Sequence, residues 1–395
     1  MDMFGEKTMR ITYLIGSLHP GGAEIQKVNH LLALKQAGHE VMCILPNGIG
    51  DLQSPLLTML RDAHVPILDL QAHECLDTES RIFFMTRFFS NIPSKKPDVV
   101  HASGYPNCLE GVIAAWQARV KSRILSWESM GFERERFDVQ PYFEYVGTKL
   151  ATHIVANSEA GKDAVARFHG ADPDRVVHIP NALMHVPELS DVLRTEARKK
   201  MEFEPDQVVV GYLANFKADG LKNQMLLVKA AAALKDKYPF VRYVMPGYTS
   251  PYMDACKRAA NELSVSDVVR FPGRIDDLNL LRGWDIGVNV SHTEGLSSSI
   301  QEQMVYGQTP FVATDVGGNR ELVIPGATGI LIQDNDLEGL VSALSTLIEN
   351  KALRERMGKI ARETIIRRYD WETVVYPMWM KLYEHDQASD HALSD

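Results

Sequence analysis

The chain has 395 residues, 45% of them hydrophobic and 24% charged, with a formal net charge of −9. That length exceeds one ordinary core and suits two domains of roughly 150 to 200 residues each. The composition is that of a soluble globular protein, and the acidic balance argues against a general nucleic-acid surface.

Cys43, Cys75, Cys108 and Cys256 stand far apart with no CxxC or Cys/His spacing, which speaks against a disulfide framework or a structural zinc site. The opening MDMFGEKTMR and the short apolar run ending at Gly16 make a poor signal peptide and are too short to span a bilayer, so a cytoplasmic location is expected.

Residues 10–15 read as a buried strand that breaks at GSLHPGGAE. From Ala23 the apolar residues Ile25, Val28, Leu31, Leu32 and Leu34 recur at helical spacing up to Gly38, and EVMCILP follows as a second strand. Strand, glycine loop, helix and strand make a βαβ unit, which predicts a mainly parallel sheet. Gly21 and Gly22 allow close backbone approach at the helix start, either for a phosphate or simply for a tight turn, and their spacing does not match GxGxxG.

Further strands are predicted at 66–70, 97–101, 122–127 and 153–156. Before the PDVVH strand, Phe83, Phe84, Phe88 and Phe89 alternate with Arg81, Arg87, Lys95 and Lys96. This pattern suits the core-facing side of a helix on the sheet, with an interfacial membrane helix as the alternative. WESMGFERERFDVQP lacks periodicity and reads as a loop near the carboxyl ends of the strands, where binding groups gather.

The rhythm is lost after VVHIPNAL, and MHVPELSDVLRTEARKKMEFEPD reads as a linker with a charged helix. Strands resume at 207–213, 241–245, 268–271, 286–290, 310–313 and 329–332. A long amphipathic stretch from Leu337 to Arg368 precedes a last helix containing Trp371 to Tyr383, and the terminal HDQASDHALSD is expected to fray. Two doubly wound α/β halves are thus expected to face across a cleft.

Within the second half, HTEGLSSSIQEQMVYG (292–307) carries Glu294 and Glu302 around Gly295 and three serines. A serine N-cap followed by Ile300, Met304 and Val305 predicts a loop turning into a helix, whose unpaired N–H groups suit an anion such as a nucleotide diphosphate. Paired carboxylates also suggest glycoside hydrolysis, but that needs both groups facing one glycosidic bond from opposite sides, which a pair on one loop and helix does not suit.

The motifs GGAE, HIVANSEAGKDAV, VHIPNAL, GYLANFKADGLKNQ, the paired-glutamate stretch and DVGGNRELV stand in an order that resembles the family 4 glycosyltransferases of the GT-B fold, over almost the whole chain. The resemblance implies an N-terminal acceptor-binding Rossmann-like domain (1–183), with a C-terminal helix of about 374–390 packing back on it. A linker (184–206) and a nucleotide-sugar-binding Rossmann-like domain (207–373) complete the expected organisation. It implies a retaining hexosyltransferase using a UDP- or GDP-sugar and a saccharide or glycolipid acceptor, in polysaccharide, glycolipid or glycoside synthesis. No further cofactor is implied. Peripheral contact with a membrane through the first domain is a further expectation.

By the same resemblance Lys222 meets the phosphates, and Lys217 stands beside Phe216, where relatives often carry an arginine. A lysine is a flexible point charge rather than a planar fork, so that exchange is not neutral. Glu302 resembles the glutamate that binds both ribose hydroxyls and Glu294 the one beside the transferred sugar, while Gly295, Leu296, Ser297 and Ser298 offer backbone groups to sugar and phosphate. Arg274 falls near the base, and Gly21 and Gly22 on the donor side. Many relatives carry a histidine after the SRILSW strand; here Glu128 stands in that segment, and it and His101 are the candidates for positioning sugar or acceptor. Asp276 and Asp277 are adjacent rather than a DxD, so metal-independent transfer is expected. A nucleotide-sugar hydrolase, epimerase or phosphorylase of the same fold, or a non-catalytic sugar-nucleotide binder, are the alternatives.

Overall fold

The computed structural model describes residues 8–19, 21–49, 54–73, 77–91, 96–103, 109–128, 140–168 and 171–388. Most of the polar loop after Glu128, the end of the C-terminal tail, Cys75, Cys108 and Lys95 lie outside these residues. The chain forms two compact units, Met1–Ala182 with Val375–Asp395, and Leu183–Val374.

Unit 1 holds seven strands: β1 Arg10–Ile15, β2 Glu40–Leu45, β3 Ile67–Asp69, β4 Val99–Ser103, β5 Ser122–Trp127, β6 His153–Ala156 and β7 Val176–His178. They form one sheet in the order β3-β2-β1-β4-β5-β6-β7, and every pairing is parallel. Helices cover both faces of such a sheet, so its strands are near-continuous apolar runs such as ITYLI and VMCIL. The three-residue β7 has too short an apolar run to stand out in the sequence.

Unit 2 contains β8 Val208–Gly211, β9 Val241–Val244, β10 Val269–Arg270, β11 Ile286–Asn289, β12 Phe311–Thr314 and β13 Gly329–Ile332, again all parallel, in the order β10-β9-β8-β11-β12-β13. Each unit is therefore Rossmann-like. The winding reverses between β1 and β4 in unit 1 and between β8 and β11 in unit 2, and the loops leaving such a pair diverge to open a crevice. Trp284, fully buried, lies against β8 so closely that a Cβ on Gly211 would come within 1.9 Å of its ring. Only glycine fits there.

Residues 184–206, expected as a linker, belong to unit 2. Their helix Asp191–Lys200 is capped by Ser190, whose Oγ accepts from Leu193 N at 3.2 Å. Arg194 donates to the carbonyls of Arg282 and Trp284, Arg198 to that of Gly283, and both pair with Asp285 at 2.7 and 3.2 Å. Carbonyls from distant turns take up the arginines, which sequence periodicity does not register. The long C-terminal amphipathic stretch divides into Leu337–Glu349 and Lys351–Tyr369, with Asn350 accepting from Leu353 N at 2.9 Å as the cap between them.

The phenylalanine-rich segment is the helix Thr78–Asn91. Phe89 is fully buried, and Phe84 and Phe88 pack against the unit 1 core. Arg81 turns inward to a two-pronged pair with Glu110, at 2.5 and 2.7 Å. Phe83 alone of the four is exposed, at 63%, under the Arg87 guanidinium. The four-aromatic interfacial face considered above is thus not formed. Among the described residues no helix is long and apolar enough to cross a membrane.

Candidate functional site

A polar cluster of unit 2 stands at its winding reversal. The loop after β8 carries Lys222 into the helix Gln224–Leu234, and the loop after β11 carries Glu294 into the helix Ser298–Glu302. Although 72 residues apart, Lys222 Nζ and Glu294 Oε1 meet at 2.6 Å. Asn289 closes β11 and donates from Nδ2 to the same Oε1 at 3.1 Å, and Ser291 Oγ donates to it at 2.7 Å. Oε1 is therefore engaged by three donors, while Oε2 accepts no hydrogen bond from a described residue.

Burial by itself would raise the Glu294 carboxyl, but the Lys222 ammonium and the Ser291 and Asn289 donors outweigh it and hold the group below its ordinary value. Glu294 is therefore a fixed carboxylate with one oxygen spent on orientation and one open. Tyr212 ties the two loops together: its OH donates to the Lys222 carbonyl at 2.6 Å and lies 3.0 Å from Ser291 Oγ. Gly318 N, in the loop after β12, donates to the Gly295 carbonyl at 3.0 Å and brings DVGGNRELV alongside.

Ser297 takes the N-cap position of Ser298–Glu302, as the sequence predicts, yet its hydroxyl makes no cap bond. It meets Asn289 Nδ2 and Ser299 Oγ, each at 3.2 Å. Leu296, Ser297 and Ser298 are buried beside it. The α-helix lasts five residues and continues as a π-helical turn, Gln303–Gly307. Glu302, at its end, is half-buried with no described hydrogen-bond partner, and desolvation pushes its carboxyl up to about 7.

Arg274 follows β10 and is held by Asp276 at 2.5 Å and by the Tyr248 hydroxyl, with its guanidinium 5.1 Å from the Tyr248 ring. Lys217 is exposed, without a described ion pair, and is not part of the Lys222–Glu294 cluster. Its neighbour Phe216 is buried in the core against Phe271 and Tyr252, so the chain turns residue 216 inward and residue 217 out to solvent.

In unit 1, His101 is engaged at both ring nitrogens by protein groups. It is fully buried, with Nδ1 2.9 Å from the Tyr383 hydroxyl and Nε2 2.5 Å from Ser126 Oγ. Its strand is central in the sheet, and the helix Tyr376–Ala388 covers it. Gly21 is the N-cap of the helix Gly22–Gln36, but a Cβ there would stand 2.6 Å from Glu24 Oε2. The helix start expected to receive a phosphate thus already has its own carboxylate folded over it, a favourable place for a negative charge. Glu128 lies directly after β5, beside Ser103 and Lys27.

Sequence reading missed Tyr212, Asn289 and Ser291. A polar side chain ending the apolar run IGVN was the one available signal, because the contacts that give these residues their work are formed by folding. Among the described residues no group of three or more His, Cys, Asp or Glu side chains is placed to hold a metal ion.

Residues 194–364 match the family model for glycosyl transferases group 1, and residues 20–183 match that for glycosyltransferase family 4. The chain is 31% identical over 187 residues to EpsD of Bacillus subtilis, covering 47% of this chain and 48% of that protein. It is 29% identical over 219 residues to a D-inositol 3-phosphate glycosyltransferase of Actinosynnema mirum, covering 53% and 52%. The matched part thus spans about half the length of these relatives. Among solved structures, Anabaena HepE in complex with UDP and glucose superposes with a TM-score of 0.79 at 20% identity, over 95% of this chain and all of that one. A glycosyltransferase of Rickettsia africae reaches 0.82 at 17%, over 97% of this chain and all of that one. At such identities these likenesses establish the fold alone.

Proposed function

The chain belongs to the family 4 glycosyltransferases of the GT-B fold, and from that premise we propose that it moves a hexose, with retention, from a UDP- or GDP-sugar to an acceptor hydroxyl in polysaccharide, glycolipid or glycoside synthesis. The observation that carries this reading is Glu294, locked through Oε1 by Lys222, Asn289 and Ser291 with Oε2 open at the winding reversal of unit 2. A fixed carboxylate there accepts from sugar hydroxyls and steadies positive charge at the anomeric carbon. Lys222, already within the cluster, faces the negative charge that grows on the departing diphosphate, and preorganised groups that stabilise developing charge usually lower a barrier more than anything else in such a site. With that cation in place the transfer is proposed to need no metal ion, so turnover is expected to survive EDTA.

In the same reading Glu302 takes the two ribose hydroxyls, which suit a carboxylate with two acceptor oxygens, and Arg274 with Tyr248 borders the base. Unit 1 takes the acceptor. Because HepE has been seen with UDP and glucose, UDP-hexoses are the first donors to try.

The test is transfer by the purified protein from UDP- and GDP-hexoses across a panel of saccharide and lipid acceptors, with Glu302→Ala alongside. The wild type is expected to form an acceptor-dependent glycoside with retained configuration. Unchanged donor binding and turnover in Glu302→Ala would sink the assignment. Free hexose formed without any dependence on acceptor would point to hydrolysis instead.

A further inference from the structure

Unit 1 contains an acid–base cluster that the proposed reaction does not yet use. Lys27, on the helix Gly22–Gln36, is only 5% exposed, and its ammonium lies 3.5 Å from Glu24 Oε1 and 3.6 Å from Glu128 Oε2. Glu128 leaves β5, and Ser103 Oγ, from the end of neighbouring β4, donates to its Oε1 at 3.3 Å. Its Oε2 is buried and accepts no hydrogen bond from a described residue. Lys27 thus gives that oxygen charge from just beyond bonding distance.

A lysine on a face shared with Val28 and Leu31 is costly to bury unless a carboxylate meets it. Of the two at hand, Glu24 is folded over Gly21 at the helix start, where the backbone N–H groups also favour its charge. Among the described residues Glu128 has no comparable backbone support, and Lys27 is the cation that meets it. On the inner side stand His101 and His30, both kept neutral by burial, so among the described residues neither supplies a competing positive charge.

We propose that Lys27 is a positioning residue for Glu128: by holding the buried Oε2 it keeps this carboxylate ionised and turned so that the part of the group left exposed, 18% of the side chain, offers an acceptor to a saccharide hydroxyl bound by unit 1. This use rests on the glycosyl-transfer reading above. An ionised carboxylate accepts and never donates, so a hydroxyl or amine is admitted at that position and a sugar carboxylate is repelled. The balance of effects on Glu128 agrees: burial pushes its carboxyl up, Lys27 pulls it back, Glu24 pushes it up again, and the Ser103 bond pulls it down, leaving it above its ordinary value. Without Lys27 the largest opposing effect is gone.

Full-length protein labelled with [5-13C]glutamate supplies the test, the Glu128 signal being the one lost in Glu128→Gln. Its titration midpoint is expected to rise by about one unit or more in Lys27→Met and to return in Lys27→Arg. The acid limb of kcat/KM for hexose transfer should move to higher pH with it, while UDP affinity stays as in wild type. An unmoved midpoint in a Lys27→Met protein with wild-type circular dichroism overturns the proposal, as does a moved midpoint with an unmoved acid limb. Lys27→Gln replaces Lys27→Met if the latter does not fold. Absence of hexose transfer in the wild type refutes the glycosyl-transfer reading instead, and the titration then decides the Lys27–Glu128 coupling by itself.

Discussion

Asn289 is the residue whose loss best separates orientation from charge. It is buried at the end of β11 and donates to both Glu294 and Ser297, so Asn289→Ala leaves Lys222 paired but Glu294 less firmly held. We expect a loss of turnover on the order of 10- to 100-fold, the size of effect that small misplacements produce, with a stability cost of about 1–3 kcal/mol for the acceptors left behind; kinetics and denaturant unfolding on one preparation check both. Glu302 makes a pH prediction. Its carboxyl sits at about 7 against an ordinary value of 4.5, so the folded state prefers it protonated. That contribution to stability is full below the ordinary value and is lost as pH rises through about 7. Glu302→Gln should therefore melt with wild type at pH 4 and a few degrees higher at pH 8. If Glu302 binds ribose, UDP affinity in the wild type should climb between pH 6 and 8 and stay flat in the variant, as isothermal calorimetry would record. The motifs of Lys222, Glu294 and Glu302 were legible through a resemblance, and of these the structure brings Lys222 and Glu294 together. Tyr212 and Ser291 were not legible, since they meet across 79 residues and nothing local marks them.

At the scale of elements, strands were the most legible part because a parallel sheet buried on both faces demands unbroken apolar runs. What escaped was whatever a second element decides: the charged helix Asp191–Lys200 belongs to unit 2 through carbonyls it caps, and His101 is sealed by a helix nearly 300 residues further on. That helix, Tyr376–Ala388, presents Tyr376, Trp379 and Tyr383 at helical spacing to three histidines. Tyr376 OH lies 3.3 Å from His39 Nε2, the Trp379 ring is 4.6 Å from that of His30, and Tyr383 OH bonds His101. Burial lowers His30 to about 3 and holds His101 well below its ordinary value, so docking needs both rings neutral. The stability they confer is present above the ordinary histidine value of 6.5 and drains away as pH falls toward about 3. Unit 1 should lose thermal stability between pH 6.5 and 4 more steeply than unit 2, and His30→Gln should flatten that slope. Domain-resolved hydrogen exchange reads the difference.

Taken whole, the chain builds most of unit 1, then all of unit 2, and returns to finish unit 1 at Val375. The last helix is thus far from its core in sequence but is part of it, with Tyr376, Trp379 and Tyr383 buried. Each unit also has its own core, the larger cluster of unit 2 running from Val208 to Met357 and that of unit 1 from Leu14 to Val176. Multidomain chains of this kind need not unfold in one step. Ending the chain after Val374 removes three buried aromatic side chains, each of which typically costs about 3–5 kcal/mol when deleted from a core, and exposes His30, His39 and His101 to water. The expected result is a calorimetric trace with two transitions, one shifted far down or lost and the other, belonging to unit 2, left where it was. UDP should still bind the truncated chain, because the residues proposed to bind it, Lys222, Glu294, Glu302 and Arg274, all belong to unit 2. A trace in which both transitions fall together, or loss of UDP binding in a chain whose unit 2 transition is intact, would contradict this division of labour.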